Sequence, residues 1–65
     1  MKVIVNGKTT DTEEKNLREF ILSRRLEPGL VIVELNERVV KRDKWPDTTL
    51  KEGDRLELVS LVGGG

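Results

Sequence analysis

The apolar positions of this chain change period along its length, and the changes mark its elements. In "MKVIVNGKTT", Met1, Val3 and Val5 fall on one side of an extended chain and Lys2, Ile4 and Asn6 on the other, the period of two that marks a strand. Asn6-Gly7 is the strongest short hairpin signal, because a type I′ turn needs positive φ at both central residues. Lys8 to Asp11 is then the return strand. In "KNLREFILSRRL" the period lengthens. Leu17, Phe20 and Ile21 lie on one helical face, and Leu26 continues the apolar surface. Asn16 and Glu19 have the spacing of an N-cap and its reciprocal partner. Arg24 and Arg25 fall in the last turn, where cations suit the helix dipole, and Pro28-Gly29 ends the element. The predicted helix is about nine residues long.

The next run, "LVIVEL", is apolar on both faces until Glu34, which predicts a strand in the middle of the sheet. Asn36-Glu37 turns the chain into "RVVK". The stretch "RDKWPDTTL" reads as irregular, with Trp45 covering one end of the core. In "LKEGD", Gly53 is free to take positive φ, and Arg55 to Val62 form the last strand. The order is therefore β-β-α-β-β-β. One helix packed on one face of a mixed sheet of about four to five strands makes a two-layer α+β domain. With the first and last strands side by side and parallel at the sheet centre, the arrangement is the β-grasp, as in ubiquitin. Residues 1–62 are expected to form the domain and residues 63–65 a flexible C-terminal glycine tail.

Composition narrows the chemistry. The 65 residues suit one domain, and a domain this small buries only about 60% of its unfolded surface. There is no Cys and no His, which removes disulfides, thiolate chemistry and the usual zinc ligand sets. Lys plus Arg and Asp plus Glu are both 12, for a formal net charge of zero. Nucleic acid, which selects a basic face, is therefore not the expected partner, and Lys41, Arg42 and Lys44, interrupted by Asp43, read as a solvated loop of mixed sign. No apolar run approaches the ~20 residues of a membrane span, and the N-terminus is a strand pattern rather than a signal peptide. A cytoplasmic protein with no membrane partner is expected.

Four stretches carry a resemblance: "MKVIVNGK", "NERVVKRDKW", "LKEGDRLELV" and the closing "VGGG". Together they span nearly the whole chain, and they are similar to the ThiS family, the ubiquitin-like sulfur carriers of thiamine biosynthesis. The Gly-Asp turn is common to many ubiquitin-like domains, and the final Gly-Gly is shared with the molybdopterin synthase small subunit and with ubiquitin. The resemblance implies that the carboxylate of Gly65 is adenylated with ATP by an enzyme of the ThiF type. A sulfur donor protein then displaces AMP to leave a thiocarboxylate, and the sulfur passes to thiazole synthase of the ThiG type. The alternatives are a carrier for molybdopterin or another sulfur-transfer pathway, and a β-grasp interaction domain that is never thiolated.

The residues themselves fit a carrier. A free carboxylate is a poor electrophile, and the chain offers neither a His base nor a Cys nucleophile to activate it. No catalytic constellation of its own is expected and no bound cofactor; ATP is consumed by the activating partner. Gly63 and Gly64, without Cβ atoms, let Gly65 thread a narrow channel. Ordering such a tail costs roughly 1–2 kcal/mol per residue, so a docking surface elsewhere must offset it. Parity along the strands supplies a candidate. Leu56 and Leu58 share one face of the last strand, and Val59 and Leu61 share the other. Ile4 points the same way as the second pair if Val3 and Val5 are core, and Ile32 joins them. Ile4, Ile32, Val59 and Leu61 are thus expected to form an exposed apolar partner surface. In related carriers the position six before the end, here Val59, docks the partner.

Overall fold

A computed structural model describes residues 1–61. Five strands and one helix form its framework: β1 (Lys2–Val5), β2 (Lys8–Asp11), α1 (Leu17–Ser23), β3 (Val31–Leu35), β4 (Arg38–Val39) and β5 (Arg55–Ser60), with 3-10 turns at Pro28–Leu30 and Arg42–Asp47. The sheet order is β2-β1-β5-β3-β4. β5 lies at its centre, parallel to β1 and antiparallel to β3, and α1 packs across one face through Leu17, Phe20 and Ile21. This is the β-grasp expected from the order of elements. β3 is paired on both sides, as its apolar run predicts, but it sits between β5 and β4 rather than at the centre. Val62, expected to end the last strand, and Gly63 to Gly65 lie outside the described residues.

Both hairpins turn on asparagine. Asn6 and Gly7 have φ of 48° and 83°, and Asn36 and Glu37 have φ of 51° and 71°. Positive φ at both central residues is the type I′ signature, whose twist matches that of the flanking strands. Gly7 is suited to this conformation, whereas Glu37 holds it with a Cβ, at some cost in strain.

The helix begins where the sequence indicates. Asn16 is its N-cap, and its Oδ1 accepts the Glu19 amide at 2.8 Å. It ends earlier than expected. α1 has seven residues, with Arg24 as C-cap and no basic residue in its last turn. Arg25 follows at φ 59°, a left-handed residue that closes the helix as glycine usually does. Arg24 and Arg25 therefore do not lie in the last turn, and Pro28-Gly29 is not the stop signal; that pair opens a separate 3-10 turn. The Arg24 guanidinium instead stands over the Phe20 ring, 5.6 Å from its centroid, within cation–π range.

The core holds Val3, Val5, Leu17, Phe20, Ile21, Val31, Val33, Trp45, Leu50 and Leu56. Trp45 is 2% exposed, and its segment is a six-residue 3-10 turn rather than irregular. Burying an indole requires a partner for its N–H, and Nε1 donates to the Val40 carbonyl at 2.9 Å. Lys41, Arg42, Asp43 and Lys44 on the same turn are all exposed, as a solvated loop of mixed sign requires.

Candidate functional site

β5 carries the chain from the core towards its glycine end, and its two faces differ. Leu56 is buried and Leu58 half-buried against the core, while Arg55, Glu57 and Val59 face away from α1. The register with β3 sets Val59 opposite Ile32 and Glu57 opposite Glu34. Beyond the ladder, the Leu61 amide donates to the Leu30 carbonyl at 2.6 Å, so Leu61 lies beside Leu30. Ile32, Val59 and Leu61 are 41%, 52% and 55% exposed. They gather at the end of β5 where the chain leaves the sheet.

Ile4 does not join them. It faces away from the core, as parity predicts, but it is only half-buried and pairs with Arg55 at the other end of the strand. Arg55 and Val59 are four residue steps apart on β5, which is about 13 Å of strand, and the charged Glu57 and its partner Glu34 lie between. The physical reason is the stagger of the sheet: β1 ends at Val5, where β5 has only reached Leu56. The patch instead gains Leu30, 41% exposed. Leu30 stands two residues before Ile32, so the same parity could have found it. Val39, opposite Glu34, adds an exposed apolar side chain on β4.

The exit of β5 is held on both sides. On the β3 side the Leu61–Leu30 bond continues the ladder. On the β1 side the backbone has already turned into the hairpin, and the Asn6 side chain takes its place. Its Oδ1 accepts the Leu58 amide at 2.8 Å and its Nδ2 donates to the Leu58 carbonyl at 3.3 Å. Asn36 grips the strand's entry in a similar way. Its Oδ1 accepts the Arg55 amide at 3.0 Å and its Nδ2 donates to Asp54 Oδ1 at 3.0 Å. Asp54 in turn accepts the Lys51 amide through Oδ2 at 2.8 Å, which closes the turn around Gly53, whose φ is 85°.

No group of three His, Cys, Asp or Glu among the described residues could hold a metal ion. A shallow hollow lined by Met1, Asp11, Thr12, Glu13, Glu14 and Ser23 opens at the β2–α1 connection. It contains no nucleophile paired with a base. Gly63, Gly64 and Gly65, the expected tail and reactive end, lie outside the described residues.

A central parallel β1–β5 pair, one helix across one face and an apolar patch at the exit of β5 define a ubiquitin-like β-grasp protein. The ThiS family's sequence profile matches residues 2–65, so the chain belongs to the ThiS family, the sulfur carriers of thiamine biosynthesis. It is 36% identical over 63 residues to the sulfur carrier protein ThiS of Thermus thermophilus, covering 97% of this chain and 98% of that one. It is 33% identical over 66 residues to a thiazole synthase of Magnetococcus marinus. All of this chain is matched there, but it spans only 20% of that longer protein. The crystal structure of a thiamine biosynthesis protein (ThiS) from Geobacter metallireducens superposes with a TM-score of 0.84 at 33% identity, over the whole of both chains.

Proposed function

We propose that the carboxylate of Gly65 is the reactive group of this carrier. A ThiF-type enzyme joins it to AMP at the expense of ATP. The outer sulfur of a persulfide on a donor protein attacks the acyl carbon and AMP leaves; a thiol then cleaves the S–S bond of the acyl disulfide, forming a disulfide with the donor, and a thiocarboxylate remains for thiazole synthase. The chain is substrate and carrier in this scheme, and its partners supply the catalysis. The observation that carries the reading is the family match through residue 65, which includes the final glycines. Sequence of this kind also forms a fifth of the Magnetococcus thiazole synthase, which supports that enzyme class as the acceptor.

Leu30, Ile32, Val59 and Leu61 are the proposed docking surface. They offer apolar area next to the exit of the tail, where binding energy best offsets the entropy of ordering glycines. Ile4 is too far from the exit to share in it.

Intact-mass measurement tests the chemistry. With ATP, a ThiF-type enzyme and a sulfur source, one oxygen of the C-terminus is replaced by sulfur. An unchanged mass with an enzyme active on its own carrier rules the reading out. Extending the chain by one Ala after Gly65 abolishes the change while the domain stays folded; transfer by the extended chain would exclude the Gly65 carboxylate as the site.

A further inference from the structure

We infer that Asn6 is a positioning residue for the reaction at the tail, an inference that rests on the carrier reading above. β1 ends at Val5, yet β5 runs on to Ser60. The last main-chain bond from β1 is the Asn6 amide to the Leu56 carbonyl, at 2.8 Å. At Leu58 no residue of β1 stands opposite on that side. The Asn6 side chain supplies what the backbone cannot. A carboxamide presents one acceptor and two donors, and here it meets the N–H and the C=O of Leu58 together, as a paired strand residue would. The left-handed backbone of Asn6, set by the hairpin, turns its own carbonyl away from the ladder and leaves this task to the side chain.

Leu58 is the last residue of β5 for which a bond from the β1 side is defined by Asn6, and it stands three residues before Leu61, where the described chain ends. The strand is held at Leu58 on one side and through Leu61 on the other. The docking patch lies on the open face of the same strand, so Leu61, which leads to the tail, is held in register with the patch. A partner that binds the patch meets the chain at Leu61 in a position that Asn6 helps to define through Leu58. Displacing a reacting group by about 1 Å can cost up to roughly a hundredfold in rate.

Asn36 provides the control. It grips the entry of the same strand by the same chemistry, from the same kind of turn, but at the end far from the tail. Asn6→Gly and Asn36→Gly both keep positive φ accessible and both remove a side-chain clamp. Steady-state adenylation by the ThiF-type enzyme is measured for each, together with hydrogen exchange at the Leu58 amide. Asn6→Gly is expected to accelerate Leu58 exchange and to lower kcat about tenfold with KM within about twofold, since the docking patch is untouched. Asn36→Gly is expected to leave kcat within about twofold of the wild type. Asn6→Asp keeps the acceptor for the Leu58 amide but sets a carboxylate against the Leu58 carbonyl, and its kcat falls between the two. Equal kcat for Asn6→Gly and the wild type overturns the inference, as does an equal loss in both glycine variants, which reports general loosening. If the wild-type chain itself is not adenylated, the carrier reading fails and this inference with it. If the wild type turns over and Asn6→Gly matches it, only the inference fails.

Discussion

At the scale of single residues, short polar side chains do much of the organising. Asn16 Oδ1 takes the Glu19 amide, one of the donors that a helix start leaves without an intrahelical partner. Because α1 has only seven residues, it cannot persist on its own propensity, and the cap is a large share of its local stability. Asn16→Ala is expected to cost about 1 kcal/mol, read as a lowered denaturation midpoint, while Asn16→Asp retains most of the stability. Trp45 fixes the other side of the core. Trp45→Phe keeps an aromatic ring but removes the bond to the half-buried Val40 carbonyl, and should cost about 1–3 kcal/mol in urea unfolding. Asn16, the core role of Trp45 and the Asn6-Gly7 turn were legible because each follows from the residue's own chemistry. The end of α1 was not. Arg25 adopts a left-handed backbone that its sequence does not advertise, and the true stop falls well before the Pro-Gly pair that signals one.

At the scale of elements, β5 separates two duties by parity. Its inner side chains hold the helix, and its outer ones are free to meet a partner. Substitutions on the two faces should therefore differ in kind. Leu56→Ala, at a core site 1% exposed, is expected to lose about 2–5 kcal/mol of stability. Val59→Asp, on the open face, should leave stability within about 0.5 kcal/mol and weaken binding to the ThiF-type enzyme by at least about tenfold, as the loss of a central apolar contact does. Calorimetric titration beside thermal melts distinguishes the two effects; a Val59→Asp chain that binds as tightly as the wild type would remove this residue from the docking face. Parity alone placed Ile32, Val59 and Leu61 correctly on the sheet's outer face. It misjudged Ile4 as their neighbour, because parity states which face a residue occupies and not how far along the strand it lies. That distance depends on the stagger between β1 and β5, which arises from pairing across the whole chain. Leu30 was overlooked although it opens the predicted strand "LVIVEL" and shares the parity of Ile32; pairing through the Leu61 amide carries the ladder on to it.

At the scale of the molecule, a single core joins the helix to all the long-range strand pairs. With one core among the described residues, the chain is expected to unfold in one step. Loss of Trp45 fluorescence and loss of far-ultraviolet circular dichroism should trace the same urea curve; two resolved curves would reveal a separable subunit of structure. Fold class and element order were legible from periodicity and turn chemistry, whereas the exact site geometry depended on register. The position of β5 has one more consequence. The centre of the sheet is built from the last strand among the described residues, and its clasp joins Asn6 to Leu58 across 52 positions. Before β5 arrives, β1–β2 and β3–β4 are isolated two-stranded pieces, which are marginal at best in water. Folding must therefore wait for a long-range closure, the slow kind. A nascent chain still lacking β5 has no native sheet, so the apolar face that carries Ile32 and Val59 does not exist until residue 60 has been made.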